Sequence, residues 1–175
     1  MKILLCAVIA YALGSASFSI VLSRLMYRKD VRNEGSGNAG ATNMARSFGK
    51  IAGALTLLGD VLKTVLAAVI GRALAGDWGV IVSCIGCQLG HCFPAYHHFK
   101  GGKGVATSLG VLLMINWQIG LICLIFAIAL MAITRMVSLG SISAAILFPI
   151  LTLFISQNFI VPATGFKYFM YCTID

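Results

Sequence analysis

Two glycine-rich runs carry the residues best suited to chemistry. Gly35-Ser36-Gly37-Asn38-Ala39-Gly40-Ala41-Thr42-Asn43 is followed by Arg46, and Lys100-Gly101-Gly102-Lys103-Gly104 follows a hydrophobic stretch further on. Glycine permits positive-φ turns that aim successive backbone amides at one point, which builds a concave anion site. Ser36, Asn38, Thr42 and Asn43 add side-chain donors. A helix beginning at Thr42 or Asn43 would contribute free amides, with Arg46 one turn inside. Lys103 sits between glycines, where its ammonium meets a phosphate without steric shielding. The Gly-x-x-x-x-Gly-Lys-Ser/Thr pattern of nucleotide loops is absent, so nucleotide binding is not expected. The expected ligands are phosphorylated molecules.

Three further groups stand out against the apolar background. Asp60 and Lys63 are three residues apart on one helical face and can pair; charges inside a membrane span are costly and usually functional. His91 falls at the end of an apolar run, where an imidazole can donate to a phosphate or exchange protons. His97 and His98 read as an interfacial pair of lesser consequence. Thr134-Arg135-Met136-Val137-Ser138-Leu139 is a polar turn between two apolar runs. No carboxylate cluster accompanies the three histidines, so no metal site is expected. Cys6, Cys84, Cys87 and Cys123 lie inside apolar runs and read as small hydrophobes, including the Cys84-x-x-Cys87 pair.

The elements that must position these groups are membrane helices. Of 175 residues, 59% are hydrophobic and 10% charged, and the mean hydropathy is +0.96. Soluble domains carry roughly a quarter charged residues, so the expected class is an all-α, polytopic membrane protein. The continuous apolar runs do not suit a β-barrel. Spans are expected near 3–23, 51–75, 78–94, 105–116, 118–134 and 139–156, with a short or incomplete seventh from about 158. The whole of 1–175 reads as one membrane domain, its carboxyl end atypical from about 158. With the amino terminus outside, loops 24–50, 95–104 and 135–138 face the cytoplasm. They hold Arg24, Arg28, Lys29, Arg32, Arg46, Lys50, Lys100, Lys103 and Arg135, as the positive-inside rule requires. Both glycine-rich loops then open on the cytoplasmic face of a multi-pass cell-membrane protein, beside anionic lipids. Nothing suggests nucleic acid as a partner.

Taken together and in order, these elements resemble the bacterial membrane glycerol-3-phosphate acyltransferases that use acyl phosphate as donor. The resemblance rests on Asp30-Val31-Arg32 before the run 35–43, on Gly59-Asp60-x-x-Lys63, on Gly90-His91 through Phe93-Pro94 to Phe99-Lys100-Gly-Gly-Lys-Gly-Val-Ala-Thr107, and on 134–139. It spans about the first 155 residues. Three departures accompany it. Gly14-Ser15-Ala16-Ser17 replaces the family's Gly-Ser-x-Pro, Thr64 stands where glycine commonly follows the lysine, and the stretch 158–175 holds no His-x-x-Asn element.

The resemblance implies transfer of a fatty acyl group from acyl phosphate to the 1-hydroxyl of sn-glycerol 3-phosphate, giving lysophosphatidic acid and phosphate. It implies membrane lipids and a soluble acyl-phosphate-producing enzyme as partners, and no cofactor. Ser36, Asn38, Thr42, Asn43, Arg46 and Lys103 are expected to bind phosphate, with Arg135 and Ser138 assisting. Ser36, Asn38, His91 and Lys103 are the catalytic candidates, His91 orienting or polarising a substrate group. Gly35, Gly37, Lys100, Gly101, Gly102 and Gly104 complete the two cradles, and Asp60 and Lys63 support them. Two rivals fit less well. A metal-dependent lipid-phosphate phosphatase needs several aspartates at one site, beyond Asp30 and Asp60. An anion transporter would show matching polar breaks in two halves, and no internal repeat is visible.

Overall fold

Helices begin and end where the sequence changes character. The computed structural model describes residues 1–155, and its regular elements are helical throughout. They are α1 (Lys2–Ser15), α2 (Phe18–Tyr27), α3 (Ala41–Phe48), α4 (Lys50–Cys92), α5 (Val105–Ile115), α6 (Trp117–Thr134) and α7 (Val137–Ile155), with short 3-10 turns at Val31–Asn33 and Ala95–His97. The expected seventh span falls on residues outside the described ones.

The chain forms two compact units, one of Met1–Gly110 and one beginning at Val111. In the first, α4 is too long for a single crossing. A helix of 43 residues would run about 65 Å, twice a bilayer core. It folds back on itself at Ala75 (φ −144°) and Gly76 (φ 61°, ψ −143°), so the expected spans 51–75 and 78–94 are the two arms of a hairpin. Glycine is required at this bend because only glycine adopts its φ/ψ pair at no steric cost. Gly71 and Gly79 meet backbone to backbone beside it, leaving no room for a Cβ on either.

The first apolar run differs from the expected continuous span 3–23. Ala16 (ψ 98°) and Ser17 (φ −84°, ψ 109°) are extended and split it into α1 and α2. α1 crosses the second arm of α4 where small residues allow the backbones to touch: Gly14 faces the Cys87 carbonyl, and Gly90 faces the Tyr11 carbonyl and Ser15 amide. Close glycine contacts of this kind replace the hydrophobic drive that lipid removes. Tyr11 donates its hydroxyl to Phe93 O at 2.7 Å. α2 and α3 are joined at their ends, the Tyr27 and Phe48 rings stacking at 4.6 Å.

The second unit is simpler. Asn116 caps α6 by accepting from the Ile119 amide at 3.1 Å, so 105–134 breaks at the polar trio as expected. α6 and α7 pack through Ile119, Cys123, Ala127, Ala144 and Phe148. Gly140 lets α7 approach Ala127 O and Met131.

Candidate functional site

The floor of the site is a buried cluster made by three segments. Asp60 and Lys63 come from the first arm of α4 and His91 from the end of the second; their exposures are 0%, 5% and 2%. The α1–α2 break leaves carbonyls that no helical amide can reach. Lys63 Nζ takes two of them, Gly14 O at 3.0 Å and Ala16 O at 2.9 Å. The same nitrogen lies 3.0 Å from His91 Nδ1 and 2.8 Å from Asp60 Oδ1. Neither Asp60 oxygen receives a well-directed hydrogen bond among the described residues, so the ion pair is the main compensation for burying that carboxylate. Ser17 is buried too, its Oγ lying 3.0 Å from Ser19 Oγ.

The first glycine loop is held by a side chain expected to touch substrate. Asn43 is 1% exposed. Its Nδ2 donates to Val31 O and Glu34 O, both at 3.0 Å, and its Oδ1 accepts from the Ser36 amide at 2.9 Å. The side chain is thereby committed to closing the loop. Gly35 (φ 54°) and Gly37 (φ 71°) supply the turns. Gly40 caps α3 and accepts from the Met44 amide at 3.0 Å, so the first-turn amides of Ala41, Thr42 and Asn43 have no helical partner. Ser36, Thr42 and Arg46 are exposed and Asn38 is half-buried around that helix start.

Asp30 and Arg32 tie this loop to the next segment. Arg32 grips Asp30 with both edges of its fork, at 3.0 and 2.8 Å, and Arg24 adds a third bond at 2.8 Å. Arg32 also donates to His97 O at 3.1 Å. The hydrogen bonds from Arg32 hold the Asp30 carboxyl well below the usual carboxylate range, and Asp30 in turn raises the Arg32 guanidinium.

The second glycine loop lies over His91. The Gly102 amide donates to His91 O at 3.2 Å. A Cβ at Gly102 would strike both the His91 ring at Nε2 and the Ala39 carbonyl, so Gly102 is the point where the two loops and the histidine converge. Gly101 is pressed against Pro94 and the Cys92 carbonyl. Gln88 pins the end of the loop: its amide nitrogen donates to Gly104 O and Ser108 Oγ, and its oxygen accepts from Thr107 at 2.6 Å. Lys103 is left exposed immediately before α5. Among the described residues Arg46, Lys100 and Lys103 have no ion-pair partner.

One cavity borders the loops and another borders the buried cluster. A polar pocket of about 460 Å³ is lined by Asp30, Arg32, Asn33, Gly37, His98, Lys100 and Gly101. An apolar groove of about 540 Å³ is lined by Leu13, Ala16, Phe18, Leu62, Lys63, Val65, Leu66 and Val69. Lys63 thus stands between a greasy groove and the phosphate-friendly loops.

The chain matches the family model described as glycerol-3-phosphate acyltransferase over residues 4–174. It belongs to that family. A glycerol-3-phosphate acyltransferase of Ruegeria pomeroyi is 45% identical over 83% of this chain and 71% of its own length. One of Jannaschia sp. is 48% identical over 83% and 72%. The chain is also similar to the crystal structure of PlsY (YgiH), an integral membrane glycerol 3-phosphate acyltransferase, in its glycerol 3-phosphate form. TM-score is 0.83 at 34% identity, covering 96% of this chain and 88% of that one. The lysophosphatidic acid form of PlsY gives 0.81 at 32% identity. This member of the family is accordingly a multi-pass membrane protein.

Of the expected site residues, those of 35–46, Asp60, Lys63, His91 and 100–104 come together in the first unit. Arg135 and Ser138 are in the second, both exposed, Arg135 closing α6 with φ 57°. Sequence reasoning missed Gln88 and Thr107 as clamps and Arg32 as a bridge. A lone glutamine inside an apolar run was the available signal for the first, and the Asp30-x-Arg32 spacing for the last.

Proposed function

We propose that this glycerol-3-phosphate acyltransferase takes its acyl group from an acyl phosphate and delivers it to the 1-hydroxyl of sn-glycerol 3-phosphate, on the cytoplasmic face of a bacterial inner membrane. Family membership supports the acyltransferase activity. The choice of donor is supported by one observation above all: two glycine loops converge at His91 with Arg46, Lys100 and Lys103 unpaired among the described residues. Two phosphates must be brought close, and their mutual repulsion requires several uncommitted cations and amides.

The reaction balances without help from a covalent enzyme intermediate. The acceptor oxygen attacks the acyl carbonyl carbon, the bond from that carbon to the phosphate oxygen breaks, and phosphate leaves. The departing phosphate takes the hydroxyl proton. An acyl phosphate is a mixed anhydride and arrives activated, so the protein's task is positioning and charge stabilisation. Ser36, Asn38, Thr42, Arg46 and Lys103 hold phosphate, while Asn43 shapes the loop that presents them. Lys100, Gly101 and Gly37 line the polar pocket for the second anion. The apolar groove along Leu13, Leu62 and Leu66 carries the acyl tail. Arg135 and Ser138 are the remaining candidates for phosphate binding, and a soluble enzyme that makes acyl phosphate supplies the donor.

Purified protein should form lysophosphatidic acid from glycerol 3-phosphate with acyl phosphate, and not with acyl-CoA or acyl-carrier protein. Comparable rates with a thioester donor would reject the donor assignment. For orientation, single cysteines at positions 36 and 103 in a cysteine-free background should label from the same, cytoplasmic side.

A further inference from the structure

Every proton on the Lys63 ammonium has an assignable acceptor. A lysine ammonium has three N–H bonds and no acceptor capacity. Two protons go to Gly14 O and Ala16 O, at 3.0 and 2.9 Å. The third goes to His91 Nδ1 at 3.0 Å, because Asp60 contributes charge at 2.8 Å without a directed hydrogen bond. The same ring nitrogen is 3.6 Å from Asp60 Oδ1, beyond hydrogen-bond length. Its short contact is therefore the one with the ammonium, toward which it acts as acceptor because an N–H there would face N–H. In a histidine, the hydrogen bond at one nitrogen decides which tautomer is present. A neutral imidazole that accepts at Nδ1 carries its proton on Nε2.

That nitrogen points to where the loops meet. A side chain on Gly102 would collide with Nε2 and with Ala39 O, and Nε2 has no hydrogen-bond partner among the described residues. We propose that Lys63 is a positioning residue that locks His91 as the Nε2–H tautomer, so that His91 serves acyl transfer as a neutral hydrogen-bond donor and never as a base. The second half rests on the acyl-transfer reading; the first does not. With Nδ1 capped and Nε2 already protonated, His91 has no free lone pair to accept the hydroxyl proton. Its N–H is suited to the acyl carbonyl oxygen, whose negative charge grows as the hydroxyl attacks. A neutral imidazole held as an electrophile is a known way for an enzyme to polarise a carbonyl. The lock also explains the α1–α2 break: without extended backbone at Ala16 and Ser17, no carbonyls would be available to anchor the ammonium.

Nitrogen NMR on histidine-labelled protein in detergent at pH 7 reads the lock without any turnover, with His91 assigned by its disappearance in His91→Gln. The expected wild-type spectrum is a neutral ring with the proton on Nε2. An Nδ1–H tautomer or an imidazolium overturns the lock. Wild type decides this alone. In Asp60→Asn/Lys63→Met, where both charges are removed together, a mixture of tautomers or a protonated ring supports the lock, and an unchanged Nε2–H ring overturns it. The catalytic half is tested by rescue. His91→Gln keeps an N–H donor with no basicity and should turn over acyl phosphate about tenfold faster than His91→Phe, the scale of one hydrogen bond. Equal loss in both variants overturns the donor role while leaving the tautomer result standing. If wild type makes no lysophosphatidic acid from acyl phosphate, the acyl-transfer reading fails, and the NMR result still decides the lock.

Discussion

The buried cluster and the loop cations use the same charged residue types in opposite ways. Lys63 has all three protons placed and sits opposite a carboxylate within one span. Lys103, exposed between two glycines, makes no ion pair among the described residues. A charge fully satisfied by the protein has nothing left for a ligand, whereas a free cation at a helix start binds whatever anion arrives. The buried lysine therefore orients other groups, and the exposed one meets substrate.

Breaking the buried pair should give the largest effect. Lys63→Met or Asp60→Asn alone leaves one charge or one set of carbonyls uncompensated, a loss of about 3–5 kcal/mol in stability. The double variant should melt closer to wild type than either single one, as measured by thermal unfolding in detergent. Additive losses would show that the two charges are not coupled.

Lys103→Ala should lower turnover on the order of 10²-fold with little change in melting temperature. Lys50→Ala, an exposed charge at the start of α4, should change turnover little. Equal small effects would mean that the second loop merely adheres to lipid headgroups.

Asn43→Ala removes three hydrogen bonds that close the first loop. It should cost about 1–3 kcal/mol through the unsatisfied groups left behind. Its effect should appear as weaker glycerol 3-phosphate binding, since a loosened loop no longer presents Ser36 and the α3 amides together. A pure loss of turnover with unchanged KM would instead place Asn43 at the reacting atoms.

The smallest effect concerns Asp30. Its folded-state pKa lies below the ordinary 3.8, so the stability it contributes is full above that value and is lost as pH falls through the depressed one. Wild type and Asp30→Asn should differ by a constant margin from about pH 5 to 8. The margin should shrink only under strongly acid conditions. A margin that changes near neutrality would point to a different titrating group.

Much of this protein was legible in its sequence because membrane helices are set by local composition. The two arms of α4, the break at Asn116 and the glycine loops each follow from residues that are neighbours in the chain. Spacing even showed that Asp60 and Lys63 share a helical face. What spacing cannot reveal is which distant segment meets that face. The split of the first apolar run at Ala16 is not legible because Gly14-Ser15-Ala16-Ser17 is small and uncharged, with no proline to mark the break. Only the crossing of α1 against α4 brings Gly14 and Ala16, 49 and 47 residues away, onto the ammonium. Likewise an asparagine beside a glycine loop looks the same whether it binds phosphate or closes the loop. Long-range hydrogen bonds depend on how helices pack, and packing is decided by the whole chain at once.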